Sequence, residues 1–172
     1  MDGLTYTSNI VTEEEATVLL DFINSQEWQQ TLQRKVQQYG PIYDYKTKTL
    51  VPAKNDIPLV FKNFMNKNNL SEMNQVIVNA YEVGEGISAH TDHVRLFGGK
   101  IASLSLMSDI EMEFQKNGEK IKIWLEKNSL VVLEGIARYE WTHCIVARKS
   151  DLINGKRVNR RKRISITFRR TI

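Results

Sequence analysis

The chain has a single cysteine, Cys144. An internal disulfide is therefore excluded, and a reducing compartment fits. No run of about 18 apolar residues occurs, so no membrane-spanning helix and no membrane partner is expected. The amino terminus, Met1-Asp2-Gly3-Leu4-Thr5, has no basic patch leading into an apolar stretch, and no secretory signal is legible. A cytoplasmic location is the expectation, or a nuclear one in a eukaryotic cell. Proline is scarce, at three residues, and no repeat, low-complexity tract or linker-like segment divides the chain. One domain over residues 1–172 is expected, acting as a monomer. Histidine is equally scarce: His90, His93 and His143 are all there are, and any site built on imidazoles must draw on them.

What is present is ordinary in amount and uneven in distribution. A hydrophobic content of 41% and a charged content of 26% suit a globular domain with a real core. The net charge of +4 is concentrated late. Between Arg148 and Arg170 there are ten Lys/Arg residues and one acid, Asp151. Such a cluster, 148–162 above all, either holds phosphates or is a solvated, lysine- and arginine-rich hairpin loop.

Periodicity changes partway along. Residues 1–11 read as a short extended or irregular lead-in. Thr12-Glu13-Glu14-Glu15 is a capping-box start with acids in the first turn. Ala16, Leu19, Leu20 and Ile23 then fall at helical spacing, which predicts a helix over roughly 13–25 with Trp28 packing behind it. Residues 46–57 are lysine-rich and loop-like. A second helix is predicted from Asp56 or Ile57, with Pro58 in its first turn and Leu59, Val60, Phe64 and Met65 facing the core. From residue 74 the period is two: Val76–Val78, Ile101–Leu106, Ile110–Phe114, Ile121–Leu125, Leu130–Leu133 and Arg163–Arg169. Asn117-Gly118 is a hairpin signal between two of these runs. About eight short strands after two helices predict a mainly β fold, a jelly roll with the helices packed on one sheet. Residues 1–72 would supply helices and a lid, and 73–172 the core.

The chemistry-bearing positions fall on this frame. His90-x-Asp92 in extended backbone points an imidazole and a carboxylate the same way. That is two-thirds of the 2-His-1-carboxylate face that leaves open positions on a non-haem iron. A third ligand must come from a distant histidine, and His143 is the remaining one; alone, a histidine there would more often be structural. His93 faces away, and Cys144 points opposite to His143. On the last strand Arg163, Ser165, Thr167 and Arg169 share one face, and Ile164, Ile166 and Phe168 the other. If the polar face is internal, two buried arginines call for an anionic ligand with carboxylates; if it is an edge strand, the face meets water. Asn79 and Tyr81, also two apart, add an amide and a phenol. From Gln33 to Tyr45, Arg34 and Lys35 alternate with Tyr39, Tyr43 and Tyr45 around a Gly40-Pro41 turn. This is either a base-stacking lid or a plain hairpin with tyrosines on its packed face.

Asn79-x-Tyr81, His90-x-Asp92, His143 and the Arg163–Arg169 strand, in this order, resemble the AlkB family of Fe(II)/2-oxoglutarate dioxygenases over about residues 30–172. The resemblance implies a double-stranded β-helix core and a cofactor set of Fe(II), 2-oxoglutarate and O2. It implies His90, Asp92 and His143 as iron ligands. Asn79, Tyr81, Arg163, Ser165, Thr167 and Arg169 would line the 2-oxoglutarate site, with Arg163 on the distal carboxylate. Ala102–Leu106, Arg138-Tyr139-x-Trp141-Thr142-His143 and Arg34–Gly40 are similar to the branch that hydroxylates a wobble-uridine side chain in tRNA. The bacterial DNA-repair members carry an acid where Val94 stands and asparagine where Ser165 stands. The implied activity is hydroxylation of an alkyl group on a nucleobase, by side-chain hydroxylation or oxidative demethylation. The implied partner is RNA or DNA, single-stranded or with a flipped base. Arg34, Tyr39, Tyr43, Tyr45, Val94 and Arg138 are the candidate substrate residues. Two other readings stand beside it: an oxygenase of this fold acting on protein or lipid, and a non-catalytic basic binding module, which the complete ligand set disfavours.

Overall fold

A computed structural model describes residues 1–31 and 34–172. Its elements in chain order are β1 (Leu4–Thr7), α1 (Glu13–Ser25), β2 (Gln29–Thr31), β3 (Arg34–Tyr39), β4 (Ile42–Asp44), β5 (Thr49–Val51), α2 (Leu59–Lys67), β6 (Gln75–Tyr81), β7 (Ile87–His90), β8 (Phe97–Leu106), β9 (Ile110–Lys116), β10 (Glu119–Leu125), β11 (Ser129–Leu133), α3 (Gly135–Tyr139), β12 (Thr142–Ile145), β13 (Ser150–Ile153), β14 (Lys156–Asn159) and β15 (Arg163–Thr171). A seven-stranded sheet runs β1-β11-β8-β15-β6-β3-β2, and a four-stranded sheet runs β10-β9-β12-β7. The hairpins β4–β5 and β13–β14 stand apart from both. The two facing sheets form the jelly roll.

Alternation along the strands divides the interior into two cores. Val76, Val78 and Ala80 of β6, Leu104 and Leu106 of β8, and Ile164, Ile166 and Phe168 of β15 face α1 and α2. There they meet Leu19, Ile23, Phe61 and Phe64, with Trp28 partly buried against them. The opposite faces of the same strands, with Met112 and Phe114 of β9, enclose a second core between the sheets. β15 lies between β8 and β6, so it is central and its polar face is internal. α1 starts at Thr12 with both capping-box hydrogen bonds formed, Glu15 N–H to Thr12 Oγ1 at 3.2 Å and Thr12 N–H to Glu15 Oε2 at 2.9 Å.

Several local expectations give way. Among the described residues there are fifteen strands rather than eight. Those missed, such as β1, β7 and β12, are four residues long and owe their form to their neighbours' ladders rather than to internal alternation. α2 begins after Pro58, not before it; Pro58 is extended and its carbonyl accepts from the Phe61 and Lys62 amides. The Gln33–Tyr45 stretch is not one hairpin. Gln33 itself lies outside the described residues, Arg34–Tyr39 joins the large sheet against β6, and Ile42–Asp44 folds back on Thr49–Val51, inside what the composition marks as loop. The break is at Gly40, at φ +75, where a side-chain carbon would sit 2.1 Å from the Asn74 carbonyl oxygen; only glycine fits there.

Candidate active site

His90 and His143 are 53 positions apart in sequence and directly opposite in space, as a cross-strand pair of β7 and β12. Opposed residues present their side chains on one face, and the two rings lie 4.5 Å apart between centroids. Asp92 follows β7 by two residues. One nitrogen from each histidine and one oxygen from Asp92 all lie within 4.8 Å of one another. Nδ1 of His90 lies 2.8 Å from the Ser88 carbonyl; a proton on Nδ1 satisfies that contact and leaves Nε2 as the free donor atom. Burial pushes the His143 imidazole down to about 4, against a smaller opposing pull from Asp92. His143 is therefore the neutral form that a metal requires. Burial works against the Asp92 charge, but Arg169, His143 and His90 outweigh it and hold the carboxyl below the usual range. Arg169 Nη1 donates to Asp92 Oδ1 at 2.6 Å, and Oδ2 is the oxygen facing His143 Nε2, at 3.9 Å. Two imidazoles and one carboxylate on one face are the donor set of a non-haem iron site with open positions.

Behind this face lies the polar side of β15. Arg163 is 1% exposed, and among the described residues no acid pairs with it. Its Nη2 donates to Ser105 Oγ at 2.8 Å, while Nε and Nη1 have no partner. Its guanidinium sits 5.4 Å from the centre of the Tyr81 ring, the residue opposite it on β6. Burial lowers its pKa to about 10, still far above neutrality. Arg169 also keeps an unpartnered nitrogen, Nη2. Buried guanidinium donors without acceptors carry a desolvation cost that an anion would offset. Ser165, Thr167, Asn79, Arg163 and Arg169 line one cavity of about 1370 Å³ with the three metal-type ligands. These orphaned donors, in the same cavity as the triad, fit a dicarboxylate cosubstrate bound beside an iron.

Arg34, Tyr43, Tyr45 and Lys48 also line this cavity. Tyr43 and Tyr45 meet edge to face with centroids 5.1 Å apart. Both backbone groups of Tyr43 are held by the Gln38 side-chain amide, at 2.9 and 3.2 Å. Arg34 donates to the Gly86 carbonyl at 3.0 Å and lies over Tyr81. Three candidate substrate residues are elsewhere. Tyr39 is 6% exposed, on the helix side of the sheet against Phe22 and Phe61, with its hydroxyl donating to Gln37; burial pushes it up to about 12. Even-numbered steps separate it from both Tyr43 and Tyr45, but the break at Gly40 cancels the shared face. Val94 is 48% exposed and outside the cavity lining. Arg138 is 2% exposed and turned into the protein. Ser105 and Gln75 are functional neighbours that the sequence reading passed over. Gln75 accepts from Arg169 Nε at 2.9 Å and donates to the Pro41 carbonyl at 2.5 Å. Period two from Asn79 and Tyr81 back to Gln75 marked that face.

This fold and donor set are those of the 2OG-Fe(II) oxygenase superfamily, whose family model matches residues 21–169; the chain belongs to it. Within it the chain is AlkB-like, and its cofactors are Fe(II), 2-oxoglutarate and O2. It is 38% identical over 181 residues to an uncharacterized protein, L905, of Acanthamoeba polyphaga mimivirus, covering 100% of this chain and 86% of that one. It is 34% identical over 168 residues to the mouse tRNA (carboxymethyluridine(34)-5-O)-methyltransferase ALKBH8, covering 88% of this chain but 25% of the mouse protein. An Arabidopsis thaliana alkylated DNA repair protein ALKBH8 homolog is 30% identical over 98% of this chain and 58% of its own length. The solved structure of OsALKBH1 superposes with a TM-score of 0.75 at 15% identity, covering 98% of this chain and 96% of the other.

Proposed function

We propose that this protein is an oxygenase of nucleic acids that hydroxylates an alkyl group on a base in RNA, with a wobble-uridine side chain as the leading substrate. When bound, Fe(II), 2-oxoglutarate and O2 supply oxidative decarboxylation coupled to insertion of one oxygen atom into a C–H bond. On an N-alkyl carbon the hydroxylated product breaks down to an aldehyde and the free base; on a carbon side chain the hydroxyl stays. His90, Asp92 and His143 hold the metal. Arg163 takes the distal carboxylate of 2-oxoglutarate, with Tyr81 and Asn79 beside it, and Arg169 fixes Asp92. Tyr43 and Tyr45 offer flat faces to an extruded or single-stranded base.

The carrying observation is the lining of a single cavity: the iron and cosubstrate residues share it with Arg34, Tyr43, Tyr45 and Lys48. Aromatic faces interleaved with cations suit a base and its phosphates. At Val94 and Ser165 the chain departs from the acid and the asparagine of the DNA-repair pattern, which counts against adenine and cytosine lesions. The names of the mouse and Arabidopsis relatives point to nucleic acid as well. The basic hairpin β13–β14 extends the surface: Val146 and Ala147, which lead into it, line the cavity, and Lys149, Lys156, Arg157, Arg161 and Lys162 are exposed on it or at its base.

The test is a mass-spectrometric screen of modified nucleosides in tRNA and of methylated oligonucleotides, with purified protein, Fe(II), 2-oxoglutarate and ascorbate. A mass gain of one oxygen on a carbon side chain of a base, or loss of a methyl group from nitrogen with release of formaldehyde, abolished by His90→Ala, is expected. Turnover that His90→Ala leaves intact, or oxidation of protein substrates alone, sinks the reading.

A further inference from the structure

Asp92 is the one metal-type ligand that belongs to no strand; it lies in the connection between β7 and β8. That connection is held from one side by Arg138, a residue of α3. Arg138 Nη1 donates to the Asp92 carbonyl at 2.9 Å, Nε to the Gly98 carbonyl at 3.2 Å and Nη2 to the Phe97 carbonyl at 3.3 Å. Thr91 Oγ1 adds a fourth tie, to the Trp141 carbonyl at 3.2 Å. Arg138 is 2% exposed, and among the described residues no carboxylate lies within ion-pair distance of it. Burial accordingly lowers its pKa, with the Asp92 charge as the main opposing influence.

A buried guanidinium without an acid in contact depends on the dipoles aimed at it. Its planar fork fixes where those dipoles stand. Here they are the carbonyls at both ends of the segment 92–98. The same α3 leads, after Glu140 and Trp141, directly into β12 and His143. The four hydrogen bonds therefore join the Asp92 segment to the chain that delivers His143. Arg169 on β15 grips the Asp92 carboxylate; Arg138 on α3 grips its backbone together with the start of β8.

We infer that Arg138, aided by Thr91, is a positioning residue that presets the spacing of Asp92 to His143 and so the affinity of the site for its metal. This rests on the reading that His90, Asp92 and His143 bind the metal. Arg138 lies outside the cavity lining and its guanidinium donates to backbone carbonyls, whereas Thr91 lines the cavity with its hydroxyl turned to the Trp141 carbonyl. The test is Mn(II) binding to metal-stripped full-length protein by calorimetry, with melting of the metal-free protein measured in parallel. Arg138→Lys keeps the charge but loses the fork, and Thr91→Val removes one tie at little structural cost. Each is expected to weaken Mn(II) binding, Arg138→Lys by roughly tenfold or more, as partners behind metal ligands generally do. Amide exchange over residues 92–98 rises in step. A dissociation constant within twofold of wild type in both variants, whatever the melting temperatures, overturns the inference. Wild-type protein that binds no Mn(II), while His90→Ala behaves identically, overturns instead the metal reading beneath it.

Discussion

Arg163 and Arg169 share one strand face, yet their partners differ. Arg169 is already engaged with Asp92 and Gln75, whereas two nitrogens of Arg163 meet nothing. Arg163→Met should therefore raise the 2-oxoglutarate dissociation constant by roughly 10- to 100-fold, the equivalent of about 1.5–3 kcal/mol for a charged hydrogen-bonding group, with Mn(II) affinity little changed; competitive binding of a 2-oxoglutarate analogue measures it. The tyrosines give a second contrast. Tyr39→Phe removes a hydroxyl bonded to Gln37 in the helix-side core, so it should cost about 1 kcal/mol of stability and leave activity intact. Tyr45→Ala should leave 2-oxoglutarate binding intact and lower substrate turnover. Steady-state kinetics and melting of both variants check this, and a Tyr39→Phe enzyme with a substrate defect contradicts the placement. The shared face of Arg163 and Arg169 was legible because spacing two on a strand preserves a face, and the His90–Asp92–His143 grouping because the chain offers so few histidines. Tyr39, Val94 and Arg138 were misplaced because sequence proximity to a motif does not say on which side of a turn, or in which direction from a short helix, a side chain projects.

The basic stretch from 148 to 162 is two populations of charge once it is folded as β13–β14. Asp151 is buried and receives Arg148 Nε at 2.7 Å and Arg160 through two donors at 2.7 and 2.8 Å. Arg148 also reaches Glu111 on β9 at 2.6 Å. These arginines are the hairpin's anchor; among the described residues Lys149, Lys156, Arg157 and Arg161 are exposed without an acid partner, while Lys162 pairs with Glu82 at 3.4 Å. Composition could count the cations but not separate them, because Glu111 is 37 residues away from Arg148. Lys156→Glu with Arg157→Glu should weaken RNA binding and flatten its dependence of log affinity on log salt by roughly 1.4, at about 0.7 per lost phosphate contact on a single strand. Filter binding across a salt series measures that slope, and an unchanged slope removes the hairpin from the interface. The anchor itself has a defined pH range. Burial raises the Asp151 carboxyl, but the hydrogen bonds from Arg160 and Arg148 outweigh it and leave it below the ordinary value. The unfolded carboxyl protonates first as pH falls, near 3.9. Its stabilisation is thus complete above that pH and is lost as pH falls through the lowered native value. Amide protection of 150–159, corrected for intrinsic exchange, should be flat from pH 8 to 5.

At the scale of the whole molecule, the two cores have different duties. The helix-side core is apolar apart from the Tyr39–Gln37 pair, and the one between the sheets carries every residue assigned to the metal and cosubstrate. This division was legible in outline: two helices followed by alternating strands gave a jelly roll covered on one sheet, and the Ile164–Phe168 alternation told the two faces of β15 apart. What escaped was pairing. The place of β1, β2 and β3 in the large sheet, and the meeting of β7 with β12, depend on partners remote in sequence, and no local pattern encodes them. The division makes stability and ligand binding separable. Phe61 is fully buried between Phe22 and Tyr39, so Phe61→Ala should cost about 3–5 kcal/mol and lower the melting temperature of the metal-free protein. Mn(II) with 2-oxoglutarate stabilises by mass action, about 2.7 kcal/mol at one hundred times the dissociation constant. Because Phe61 lies across the large sheet from the site, the variant should keep the full ligand-induced stabilisation from its lower starting point. His90→Ala should do the reverse, with a nearly wild-type metal-free melting temperature and no Mn(II)-dependent rise. Differential scanning calorimetry of the three proteins, with and without ligands, separates these outcomes. A Phe61→Ala protein that folds but has lost its ligand response would mean that the helix-side core and the site are one cooperative structure.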